Sequence, residues 1–208
     1  MPYTAQLVAV SKFKPKEAIE QLYAQGQRLF GENYVQEIVE KQAQLPEDIS
    51  WHFIGHLQSN KVKYIAPFVS MIHTLDGVSL LKEINKQALK NERVIDCLLQ
   101  FKINDEATKF GLEESEIEAF VASSEYQNAT NIRIVGVMGM TTFTDDKIQV
   151  RRELQHLKHI FDNLKSTYFI DNQDFKTISM GMSDDYVMAL EEGSTMVRIG
   201  SLLFGARF

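Results

Sequence analysis

The feature that most constrains this chain is an alternation that runs from end to end. Short apolar runs, rich in Val, Ile, Leu and Phe, are separated by amphipathic stretches. The runs predict strands over Leu7–Val10, Arg28–Phe30, Trp51–Ile54, Met71–Thr74, Asp96–Phe101, Ile132–Val137, Thr177–Ser179 and Met196–Ile199. Leu7–Val10 is apolar at every position and most of the others are predominantly apolar, as suits parallel strands buried on both faces. Parallel neighbours need a long crossover, usually a helix, and the amphipathic stretches supply one. Eight such units predict an α/β fold, a (β/α)8 TIM barrel, in which 208 residues lie near the lower size limit of about 200. The expected organisation is one domain over residues 1–208, with no linker, internal repeat or break in composition. A doubly wound open sheet is the alternative, because periodicity does not separate the two.

The helical stretches carry local signals. Ala18, Ile19, Leu22 and Tyr23 recur at helical spacing, and Val150, Leu154, Leu157 and Phe161 form one stripe of a helix expected over Lys147–Asn163. Ser59 and Asp184 are expected helix caps, and Gly26 and Gly193 expected stops. The Ser/Thr/Asn-rich stretch Ser123–Asn131 is expected to be a surface loop.

The formal net charge is −6, so the overall balance gives no support to a surface that grips nucleic acid, although a small anion could be held by backbone N–H groups and one or two cations. No apolar run reaches the roughly 18–20 residues of a membrane span. The first residues, Met1-Pro2-Tyr3-Thr4, lack the pattern of a signal peptide, which makes the cytoplasm the expected compartment. Cys97 is the one cysteine; in the apolar run Cys97-Leu98-Leu99 it reads as a buried core thiol.

A barrel carries its chemistry at the C-terminal ends of its strands. There the sequence places Lys12, Asn33, Gly55-His56, Met138–Met140, Met180–Ser183 and Arg198–Ser201. Lys12 ends an apolar strand. A desolvated lysine has a lowered pKa and can attack an aldehyde, whereas a lysine that snorkels at a strand end has no such role. Gly181 and Gly200 follow late strands, where backbone N–H groups can hold phosphate; ordinary tight turns are the competing account. Arg198, inside an apolar strand, needs an acceptor, and either a ligand or a structural ion pair would satisfy it.

The histidines say less. His52 and His56 lack the glutamate of a zinc helix, His156 and His159 lie on a solvated helix face, and His73 reads as a satisfied core or rim residue. No phosphate-loop, dinucleotide-binding or esterase-elbow motif is present, and no metal is expected.

Five segments in order carry a resemblance: Val8-Ala9-Val10-Ser11-Lys12-x-Lys14-Pro15, Phe30-Gly31-Glu32-Asn33-Tyr34-Val35-Gln36-Glu37, Trp51-His52-Phe53-Ile54-Gly55-His56-Leu57-Gln58-Ser59-Asn60-Lys61, Ser179-Met180-Gly181-Met182-Ser183-x-Asp185, and Gly193-Ser194-Thr195-x-Val197-Arg198-Ile199-Gly200-Ser201-x-x-Phe204-Gly205. Together they closely resemble the pyridoxal phosphate (PLP) homeostasis proteins, which include bacterial YggS proteins and the human proline synthetase co-transcribed homologue. The resemblance implies a barrel like the N-terminal domain of alanine racemase, with one PLP bound. Lys12 would form the Schiff base, Ser183, Gly200 and Ser201 would hold the phosphate, Arg198 would face the pyridine nitrogen, and Asn33 would line the ring. Met180 and Met138 would pack near the cofactor.

The resemblance favours a monomer, and the expected function is a non-catalytic PLP carrier that takes part in PLP homeostasis and exchanges the cofactor with PLP-dependent apoenzymes. The family has a further helix upstream of the first strand, so the chain is expected to be shortened there, and Ser201 stands where threonine is common. An amino-acid racemase or related lyase is the alternative, with His56 or Tyr34 as a base. The end of the sequence at Phe208 leaves no expected segment for the second domain that supplies a tyrosine base in alanine racemase.

Overall fold

The computed structural model describes residues 4–104 and 110–205. Eight strands pair in chain order: β1 (Gln6–Val10), β2 (Leu29–Glu32), β3 (Ser50–Phe53), β4 (Met71–Leu75), β5 (Ile95–Gln100), β6 (Ile132–Met138), β7 (Thr177–Ser179) and β8 (Met196–Ile199). Every pairing is parallel, and β8 returns to β1 to close the barrel. Closure excludes the open-sheet alternative. Around the strands lie α1 (Lys16–Ala24), α2 (Val35–Gln42), α3 (Val62–Ile65), α4 (Val78–Lys90), α5 (Ile117–Ala122), α6 (Ser124–Gln127), α7 (Lys147–Thr167), α8 (Tyr186–Glu191) and α9 (Ser201–Phe204).

The main core lies between the outward strand faces and the helices. Phe30, Phe53 and Ile72 from the strands meet Ile19, Ile38, Leu81, Ile84 and Leu154 from the helices, all without measurable exposure. The longest helix, α7, starts where Asp146 accepts the Ile148 and Gln149 N–H groups. It buries Val150, Leu154, Leu157, Ile160 and Leu164 at successive turns.

Six of the eight strands differ from their expected limits by one or two residues, most at β2. Its expected range, Arg28–Phe30, shifts to Leu29–Glu32 because Gly31 and Glu32 continue the ladder with His52 and Phe53. The stretch expected to be a loop, Ser123–Asn131, contains α6, whose first turn is capped by the Ser123 hydroxyl accepting the Tyr126 N–H. Asp185, and not Asp184, is the residue before α8, and Ser59 begins a 3-10 turn (Ser59–Lys61) that runs into α3. Gly26 and Gly193 do follow their helices, with φ of +98° and +93°, the left-handed conformation that ends a helix readily at glycine.

Candidate functional site

Because all eight strands are parallel, their C-terminal ends form one rim, where Lys12, Asn33, Met180, Ser183, Gly200 and Ser201 lie, with Arg198 inside β8 beneath it. Register locates them further. Ala9 pairs with Phe30 on one side and with Ile199 on the other. Lys12, Asn33 and Gly200 therefore follow three adjacent strands, which lie about 4.8 Å apart in a sheet. Lys12 opens the turn after β1 and is half-buried; Asn33 follows β2; Gly200 joins β8 to α9, which Ser201 begins. Asn33 Oδ1 is buried without a hydrogen-bond partner among the described residues. Gly55 presses on the Asn33 backbone so closely that a Cβ there would lie 2.2 Å from its carbonyl oxygen. Asn33 thus has a fixed backbone and an acceptor left over, a combination that ligand contact would relieve.

Arg198 sits deeper, 4 % exposed, and reaches past the end of β7 toward the end of β6. One guanidinium nitrogen donates to the Ser179 carbonyl (2.8 Å) and hydroxyl (2.6 Å), the other to the Gly139 carbonyl (3.0 Å). The Ser179 hydroxyl meets His73 Nδ1 at 3.0 Å, and His73 Nε2 meets His52 Nδ1 at 3.0 Å. Since β4 and β7 are not neighbours, the His73–Ser179 contact spans the lumen. An assignment that satisfies every contact has Arg198 donating to Ser179, Ser179 to His73 Nδ1, and His73 Nε2–H to His52. It requires neutral rings, and burial supplies them: it lowers His52 to about 4 and His73 well below its ordinary value. Burial also lowers Arg198, to about 10, so it remains cationic at neutral pH.

Met180 follows β7 and Met138 ends β6, both fully buried. Ser183 lies in the turn before α8, a turn held by Asp185, which accepts the Met182 N–H (2.6 Å) and the Thr141 hydroxyl (2.8 Å). Gly181, at φ +96°, lets this turn pack on α8, since a Cβ would meet the Ala189 methyl at 2.6 Å. Ser183 lines a cavity of about 580 Å³. Asn33 lines a larger one of about 1000 Å³, with Phe13, Tyr34, Phe53 and His56. His56 stacks on Phe110 and lies 3.7 Å from Asp76.

A second polar group beside Lys12 escaped the sequence reading. Lys41 of α2 is bonded to Glu32 (2.7 Å), Glu37 (2.9 Å) and the Ser11 carbonyl (2.8 Å), and the Ser11 hydroxyl donates to Glu32 (2.6 Å). Both donors share Glu32 Oε1, while Oε2 is buried without a partner among the described residues. Burial raises Glu32 to about 7, opposed by the Lys41 and Ser11 hydrogen bonds. Against partial burial, Lys41 and the Phe13 N–H hold Glu37 below the usual carboxylate range. The one legible signal was Lys41 itself: its spacing from Ile38 puts it on the inward side of an amphipathic helix.

The barrel with its rim lysine defines a class, and comparison with known proteins agrees. Residues 1–208 match the family described as "Alanine racemase, N-terminal domain". The chain is 40% identical over 205 residues to the pyridoxal phosphate homeostasis protein of Aquifex aeolicus, covering 98% of this chain and 87% of that protein. It is 36% identical over 210 residues to the protein of the same name from Escherichia coli, covering 99% and 87%. The chain belongs to the family of pyridoxal phosphate homeostasis proteins.

Among solved structures, PipY of Synechococcus elongatus without PLP superposes with a TM-score of 0.91 at 32% identity, covering 99% of this chain and 94% of that one. PipY with PLP bound gives 0.88 at 31%, with the same coverage. Alanine racemase of Streptomyces lavendulae shares the fold, with a TM-score of 0.77 at 14% identity over 98% of this chain and 53% of its own.

Proposed function

We propose that this chain binds pyridoxal 5′-phosphate at the barrel rim, tethers it covalently through Lys12, and serves PLP homeostasis without catalysing a reaction of its own. The observation that carries this reading is the convergence of Lys12, the Asn33 acceptor unpartnered among the described residues, and the Gly200–Ser201 helix start on three adjacent strand ends. The PLP-bound state of PipY and the names of the bacterial relatives support it. The residues present fit the group: an amine for an aldehyde, a cation and an amide for a heteroaromatic ring, and hydroxyls with first-turn amides for a phosphate.

PLP, when bound, supplies an aldehyde and an electron-poor ring. Lys12 would contribute the amine, with the aldehyde oxygen leaving as water. The Ser183 hydroxyl and the groups of Gly200 and Ser201 would hold the phosphate, Asn33 would line the ring edge, and Met180 and Met138 would pack beside it. Arg198 would face the ring nitrogen. A guanidinium has no proton acceptor, and Arg198 is cationic at neutral pH, so it disfavours a proton on that nitrogen and weakens the ring as an electron sink. This supports a carrier over a racemase. On this reading the protein acts as a cytoplasmic monomer that exchanges PLP with apoenzymes.

The test is the absorbance spectrum of the purified protein with and without added PLP, followed by mass mapping after borohydride reduction. A visible band, its loss on reduction and an adduct on Lys12 are expected, and Lys12→Ala should abolish the adduct. Protein that stays colourless with PLP would sink the cofactor assignment. Lys12-dependent racemisation or elimination across a panel of amino acids would overturn the carrier reading.

A further inference from the structure

The turn that carries Lys12 is held from outside the barrel by α2. The Ser11 carbonyl, on one side of Lys12, accepts from Lys41 Nζ at 2.8 Å. The Phe13 N–H, on the other side, donates to Glu37 Oε2 at 2.9 Å. Lys41 and Glu37 are one helical turn apart and are themselves paired at 2.9 Å, so the two grips form one unit. Ser11 is held further by its hydroxyl on Glu32 and by its N–H on the Gly31 carbonyl. Between these grips the backbone is strained: Phe13 has φ +62°, a conformation that residues with a Cβ avoid. Such strain persists only where the surroundings over-determine it. Two acidic side chains and an ammonium held largely out of water are a poor way to stabilise a fold, because desolvation offsets much of their attraction.

We infer that Glu37 and Lys41 are positioning residues for Lys12. By fixing Ser11 and Phe13 they fix the backbone from which the Lys12 amine extends, and so set how firmly the tether holds its ligand. Glu32 supports them by holding Lys41 from beneath. The inference rests on Lys12 being the tether, and deepens that reading by naming what controls retention of the cofactor.

Two measurements on the full chain test it. The first is amide hydrogen exchange at Phe13 in ligand-free protein. The second is the rate of PLP release from loaded protein into excess hydrazine trap. Glu37→Ala removes the acceptor, and Glu37→Gln keeps an oxygen without the charge. Glu37→Ala should speed both processes on the order of tenfold, the scale of one lost charge-assisted hydrogen bond, with Glu37→Gln closer to wild type. Lys41→Gln, which cuts the grip on Ser11, gives an independent second variant and should also speed release.

Unchanged exchange and release in these variants would overturn the inference. Faster exchange with wild-type release would overturn it too, leaving α2 a purely structural support. Wild-type protein that takes up no PLP would end both this inference and the tether assignment, whereas uptake with a Lys12 adduct and unchanged release in the variants would end this inference alone.

Discussion

Replacing Glu32 by glutamine should change how stability responds to pH. Glu32 is fully buried, with Lys41 and Ser11 both on one oxygen and the other oxygen without a partner among the described residues. Burial lifts its pKa from 4.5 to about 7, so the folded state keeps a proton that the unfolded chain releases. That difference corresponds to about 3 kcal/mol. The sign follows from proton linkage. Below 4.5 both states are protonated and there is no penalty; between 4.5 and about 7 stability falls as pH rises; above 7 the full penalty is present.

His52 and His73 act in the opposite sense. Burial holds them neutral, with His52 at about 4, so stability falls as pH drops below 6.5 and the unfolded chain takes up protons. Glu32 offsets only part of the effect of the two histidines in the wild-type protein through the mildly acid range. Glutamine cannot ionise, so Glu32→Gln removes the first effect and leaves the second. Urea unfolding of both proteins at pH 8 and pH 4.5 checks this. The stability of wild type minus that of the variant should rise by about 3 kcal/mol on going to pH 4.5. A difference that stays constant between the two pH values, whatever its size, refutes the reasoning, because a pH-independent loss is one of packing and not of charge.

Ser179→Ala should cost about 1–3 kcal/mol in urea unfolding, because it leaves His73 Nδ1 buried and unpaired and removes one of the Arg198 acceptors; a change under about 0.5 kcal/mol would show that water or a rearrangement replaces the hydroxyl. Gly136→Ala should cost about 4 kcal/mol or more or prevent folding, since at φ +155° its Cβ would lie 1.8 Å from the Thr177 carbonyl oxygen in the neighbouring strand. Gly77→Ala is the matched control. Its backbone is extended and nothing lies within 4 Å of the added methyl, so an effect within about 0.5 kcal/mol is expected by the same assay.

The barrel was legible because its signal is repeated and redundant: all eight expected strands are present, and β7 and β8 carry the expected limits. Edges were less legible because a strand ends where its partner ends, and that is a property of two segments. β2 runs on through Gly31 and Glu32 only because β3 offers His52 and Phe53. Cys97 was read correctly as core, and its burial pushes the thiol up, away from reactivity.

The candidate site divides along the same line. The expected positions Lys12, Asn33, Met180, Ser183, Gly200 and Ser201 follow from strand ends and motif segments and lie at one rim, with Arg198 inside β8 beneath it. The groups that hold them do not follow, because they pair across long separations: Arg198 with Gly139, His73 with Ser179, Lys41 with Ser11. Each of those residues alone resembles an ordinary core histidine, helix lysine or strand serine. What marks them is mutual: a cation aimed at a carbonyl, neutral rings in series, a carboxyl with one oxygen satisfied and one not. A fold repeats its pattern along the chain and can be read from one dimension. The support of a ligand site is a set of single contacts, each made once, so its logic emerges only when the strands have been placed side by side.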